Sequence, residues 1–150
     1  MKLTATAKIQ IQKPIDQVFD AIVIPEKMNK YFIANATGKL EKDVTVEWAF
    51  PESPESFPVT GREIKPFSYI SFDWSGGEEN QLVEILLSES EEDSTIVEII
   101  EQEMDNTLDG IEQAKGRTAG WANFLACLKA YLEYGINLRR GAFDFMRSIP

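Results

Sequence analysis

The stretch GWANFLACLKAYLEYG, residues 120–135, sets two glycines around a helical pattern rich in large apolar side chains. On a helical wheel Trp121, Phe124, Leu125, Leu128, Tyr131 and Leu132 fall within a stripe of about 120°. Asn123, Lys129 and Glu133 lie off that stripe, and Gly135 is placed to end the helix. A helix with so broad an apolar face must lie on a large surface. The rest of the chain supplies one, in the form of a sheet.

Leu3, Ala5, Ala7, Ile9 and Ile11 alternate with Thr4, Thr6, Lys8, Gln10 and Gln12, the period of a half-buried strand. Pro14 suits the first turn of a helix, and Ile15, Val18, Phe19 and Ile22 follow at helical spacing. Pro25 stops that helix or starts the next, and EKMNKYF (26–32) reads as a second short helix. Val44, Val46 and Trp48 share one strand face. After the loop PESPESFP, strands are expected over residues 59–64 and 69–74, with Ile70, Phe72 and Trp74 alternating against Tyr69, Ser71 and Asp73. SGGEEN reads as a turn, and LVEILL and TIVEII as a hairpin around a long acidic loop. Strands at such short spacing favour an antiparallel sheet. Residues 105–117 read as an irregular connection with room for a short helical turn, and 136–150 as a tail in which Phe143, Phe145 and Met146 dock on the protein or on a second subunit.

At 150 residues and 43% apolar composition the chain is expected to be one domain with its own core, spanning about residues 3–135. Residues 66–114 hold fourteen Asp and Glu and no Lys or Arg, and the net charge is −10. That excludes the basic footprint that nucleic acid or an anionic membrane requires. No apolar run approaches the ~18 residues of a spanning helix. The N-terminus alternates where a secretory signal would be continuously apolar, which points to the cytoplasm. The single Cys127 packs as a small hydrophobe. Histidine is absent altogether, which removes Ser-His and Cys-His nucleophile pairs and nearly all zinc chemistry.

Carboxylates are numerous but do not assemble into a mechanism. Glu78–Glu79 fall in a turn, and Glu91–Glu92–Asp93 form a solvated loop without the spacing of a calcium site. Glu101 and Glu103, two apart on a strand, are expected on its outer face. Arg62 reads as a solvated strand residue. No enzyme activity, metal or cofactor is expected.

Two segments carry a family resemblance. KPIDQVFDAIVIPEKMNKYF (13–32) resembles the opening of the START-like superfamily, also called SRPBCC or birch-pollen-allergen-like: a Pro-led helix, then P-E-K and an aromatic pair. GWANFLACLKAYLEYG resembles the ending of one subfamily, the homologues of the C-terminal domain of the ATPase activator of the 90-kDa heat-shock chaperone. The resemblance implies an α+β helix-grip fold, with a curved antiparallel sheet around a long C-terminal helix and two short helices after the first strand. It further implies a cleft between sheet and helix that takes a hydrophobic or aromatic small molecule, in a non-enzymatic and stress-related role. A co-chaperone or other protein-interaction module is the alternative, and a cyclase- or hydrolase-like enzyme the least favoured. Expected ligand-binding residues are Tyr31, Phe32, Trp48, Phe72, Trp74, Trp121, Phe124, Leu128 and Tyr131, with the hydroxyls of Tyr31, Tyr69 and Tyr131 as polar handles. The partners this leaves are a hydrophobic small molecule, a chaperone, or a second copy of the chain in a homodimer.

Overall fold

A computed structural model describes residues 1–76 and 81–147. Its frame is a seven-stranded antiparallel sheet in the order β1-β7-β6-β5-β4-β3-β2. The strands are β1 (Leu3–Ile11), β2 (Asn35–Ala36), β3 (Thr45–Ala49), β4 (Ser56–Lys65), β5 (Tyr69–Asp73), β6 (Leu82–Glu89) and β7 (Thr95–Met104). Two short helices, α1 (Ile15–Val23) and α2 (Pro25–Met28), fill the connection after β1, and α3 (Leu108–Tyr134) crosses the concave face. This is the helix-grip arrangement.

The alternation seen in sequence selects the faces. Trp48 of β3, Phe72 of β5, Ile85 of β6 and Ile99 of β7 all point inward and are buried. They meet Phe124, Leu125 and Leu128 of α3 in one apolar cluster that also takes Val18 and Ile22 of α1. Fully burying each such side chain stabilises the fold by roughly 1.5–3 kcal/mol. At the far end of α3, Gly135 adopts a left-handed φ of 68° and ends the helix, as its position suggests.

Four local expectations change. Residues 105–117 are not irregular: α3 begins at Leu108, and Thr107 caps it by accepting the Gly110 N–H at 3.0 Å. The first turns of α3 are largely exposed, with Leu108 at 84%, so no apolar stripe marks them. Gly110 is required there, because a Cβ would stand 1.7 Å from the Asp105 carbonyl oxygen. The helix expected over 26–32 ends at Met28, since Tyr31, Phe32 and Ile33 are all buried. Three successive buried residues cannot share one helical face. The acidic loop between β6 and β7 is also shorter than expected, because Glu89 still pairs with Thr95.

The fourth correction concerns Glu101, which is fully buried. It keeps the inward parity of Val97 and Ile99. Glu103 does not, because the β1 pairing passes from Ala5↔Glu101 to Leu3↔Met104 and leaves β7 one residue longer than its partner. Such a bulge reverses the side-chain alternation. Two carboxylates spaced two apart therefore end on opposite sides of the sheet.

Candidate ligand cleft

A cleft of about 400 Å³ opens where the middle of α3 leaves the sheet. One wall is α3 itself, with Trp121 and Phe124 separated from the exposed turns by Gly116 and Gly120. Phe32, Phe50 and Trp74 form the second wall, from the turn after α2 and the ends of β3 and β5. The third is the C-terminal tail, through Arg139, Phe143 and Met146. The rings are packed edge and face: Trp74 stacks on Trp121 at 5.1 Å and 29°, while Phe32 meets Phe124 edge-on at 4.7 Å. Aromatic pairs at these separations gain about 0.5–1.5 kcal/mol beyond burial.

Behind the stacked tryptophans lies Glu101. Its two oxygens accept separate indole N–H groups, from Trp121 at 2.8 Å and Trp74 at 3.0 Å. The Arg117 guanidinium stands 3.8 Å from the same carboxylate and 5.0 Å over the Trp74 ring. A buried carboxylate is costly unless donors surround it. Here the donors are the very rings that face the cleft, so one acid sets the orientation of both.

The tail is tied down by a second ion pair. Both terminal nitrogens of Arg139 donate to Glu52, at 3.0 and 2.7 Å, the two-pronged geometry that makes arginine–carboxylate pairs strong. The same guanidinium lies over Phe143, Phe50 and Phe32, at 4.8, 5.0 and 5.8 Å. Burial works to raise the Glu52 carboxyl, but the Arg139 hydrogen bonds, a backbone amide and the charges of Arg139 and Arg147 together hold its pKa below the ordinary 4.5. A smaller hollow of about 280 Å³ lies on the other side of Phe32, Arg139 and Phe143. The expected docking of the tail thus takes place, at least in part, on the chain's own cleft.

The structure divides the sequence-derived set. Phe32, Trp74, Trp121 and Phe124 come together on the cleft wall. Tyr31 reaches the neighbouring hollow and stacks on Tyr131 at 5.5 Å. Trp48, Phe72 and Leu128 do not line the cleft and belong to the core behind it; Trp121 and Phe124, at 3% and 2% exposure, show it little more than an edge. The tyrosine hydroxyls are spent elsewhere: Tyr31 donates to the Ala21 carbonyl at 2.8 Å, and Tyr69 to Glu84 at 2.6 Å. Burial, with Tyr131 and Cys127 adding to it, pushes the Tyr31 phenol well above 10.0. Tyr131 itself faces a shallow depression beside Asn29 and Lys30. The polar groups of the cleft are instead Glu52, Arg117, Asn123 and Arg139, none of which periodicity could single out.

Other expectations fall away from the cleft. Arg62 is half exposed and pairs with Asp73 at 3.3 Å on the sheet's outer side. Glu91, Glu92 and Asp93 are exposed, and Glu78–Glu79 lie outside the described residues. Among the described residues no group of three or more His, Cys, Asp or Glu could hold a metal ion, and no helix is long and apolar enough to cross a membrane.

A curved antiparallel sheet gripping a long helix, with a cleft beside it, defines the START-like helix-grip class. The sequence model of one of its families, "Activator of Hsp90 ATPase homolog 1-like protein", matches residues 12–133. This chain belongs to that family. A comparison with curated proteins finds no match. Among solved structures, the protein SSP2350 from Staphylococcus saprophyticus is 27% identical, with a TM-score of 0.80 over 91% of this chain and 96% of that one. The Aha1 dimer from Colwellia psychrerythraea is 18% identical, with a TM-score of 0.76 over 89% of this chain and 98% of that one. DynU16, from the dynemicin biosynthetic locus, is 19% identical at a TM-score of 0.77, covering 89% of this chain and 48% of that one. The last two likenesses speak to fold alone.

Proposed function

We propose that this chain is a non-enzymatic, cytoplasmic binding protein that holds a hydrophobic, aromatic small molecule in the cleft between α3, the β5 end and the C-terminal tail. One observation carries the reading: a cleft of about 400 Å³ walled by stacked and edge-on rings. Small-molecule sites are of this size, mostly apolar, with a few polar groups to orient the ligand. Phe32, Trp74, Trp121 and Phe124 make the contacts, with Phe50, Phe143 and Met146 beside them. Trp48, Phe72 and Leu128 support them from the core.

The protein-interaction reading draws on a different residue, Phe145 of the tail, which is 81% exposed. It does not account for the cleft, so ligand binding is the first reading to test. Native mass spectrometry of gently purified protein shows whether a passenger is carried. Titration with the neutral fluorophore N-phenyl-1-naphthylamine then reports the cleft directly. A Cβ at Gly120 meets nothing within 4 Å, so Gly120→Trp puts an indole into the cleft without displacing the core. The expected outcome is one probe per chain in the native protein and affinity reduced about tenfold or more in the variant, ~1.4 kcal/mol per decade. A variant that stays folded and binds as the native protein does overturns the reading.

A further inference from the structure

We infer that the ligand of this cleft carries a carboxylate on its aromatic body and that Arg117 receives it; this rests on the binding reading just given. Both acids at the cleft are already supplied with donors: Glu52 by the two terminal nitrogens of Arg139, and Glu101 by the two indoles. Arg139 is in turn committed to Glu52. Arg117 differs. Its Nε lies 3.8 Å from Glu101, within ion-pair range but beyond a hydrogen bond. Among the described residues its donors are otherwise engaged only with the face of Trp74.

Its setting favours a ligand. Arg117 stands between Gly116 and Gly120 on the cleft wall, where neither neighbour has a side chain to shield it. Its side chain is 35% exposed, so its hydrogen bonds gain from a medium less polar than water. The guanidinium lies 5.0 Å over the Trp74 ring, which itself stacks on Trp121, so a flat ligand seated in the cleft that these rings wall brings a substituent within reach of the cation. A planar five-donor fork matches a carboxylate. A phosphate would bring about two negative charges to one cation whose charge already faces Glu101 at 3.8 Å, although its hydrogen-bond donors are open. A cationic ligand would find both acids taken. The chain's net charge of −10 opposes anions at long range, but such fields are screened over about 8 Å in physiological salt, so the contact decides.

The test uses two probes of one shape, naphthalene-2-carboxylate and naphthalene-2-carboxamide, titrated against tryptophan emission in the native protein, Arg117→Gln and Arg117→Lys. The native protein is expected to bind the carboxylate about tenfold more tightly, the scale of a charge-assisted pair. Arg117→Gln is expected to abolish that preference, so that the two probes bind alike, while Arg117→Lys keeps part of it. Equal affinities in the native protein, or a preference that survives Arg117→Gln, overturn this inference alone. If neither probe binds the native protein, the proposed cleft function falls with it.

Discussion

Replacing Glu101 by Gln preserves shape but removes one acceptor and the charge. The amide oxygen can take one indole N–H, and the NH₂ group then faces the other indole with no acceptor to offer. Arg117 loses its counter-charge at 3.8 Å in the same step. Breaking a buried ionic contact in this way costs about 3–5 kcal/mol when both partners are dry and less when, as here, the cation is partly wet. We expect Glu101→Gln to lower stability by about 2–3 kcal/mol, read as a shift in urea midpoint, with a change in tryptophan emission before unfolding begins. An unshifted midpoint would mean that the indoles do not depend on the carboxylate. The residue also shows where sequence reading of the site stopped. Aromatic rings announce themselves by size and period, so Phe32, Trp74, Trp121 and Phe124 were legible. A glutamate among apolar strand positions looks like an outward residue; it points in because it keeps the parity of Val97 and Ile99, and only the two indoles reveal what holds its charge there.

At the scale of elements, α3 has two halves held by different physics. Its C-terminal half is fixed by burial of Trp121, Phe124, Leu125 and Leu128, and that half was legible as an amphipathic stripe. The N-terminal half, largely exposed, depends on capping, since its first amides have no intrahelical partners. Thr107→Ala is therefore expected to cost about 1 kcal/mol and to speed amide exchange at Gly110, whose N–H the Thr107 hydroxyl accepts. Unchanged exchange would show that the cap does not hold that turn. The same division explains why the start of α3 does not read as a helix in the sequence: a solvated helix carries no periodic apolar signal. The antiparallel character of the sheet was legible, because short connections between successive strands leave no room for crossovers. The two-residue β2 was too short to give any pattern.

For the whole molecule, acid is the informative variable. Glu52, Asp73 and Glu133 are each raised by burial but lowered further by hydrogen bonds, from Arg139, from Ser75 with Arg62, and from Lys129 with the Gln12 amide. A carboxyl held lower in the folded state contributes stability that is fully present above its unfolded pKa and lost as pH falls through its folded one. With ordinary values of 4.5 for Glu and 3.8 for Asp and no histidine in the chain, the urea midpoint should be flat from about pH 8 to pH 5 and decline below about 4.5. A step near pH 6 would contradict this. These pairs join distant parts of the chain: Glu133 of α3 accepts the Gln12 amide, and Lys129 donates to the Gln10 carbonyl, both at 2.9 Å. β1, the first strand, pairs with β7, Ile9 opposite Val97. On a ribosome the first strand therefore waits for its partner through most of translation, roughly 5 to 20 seconds at usual elongation rates. A nascent chain stalled in that interval displays a bare strand edge, a template for another copy of itself.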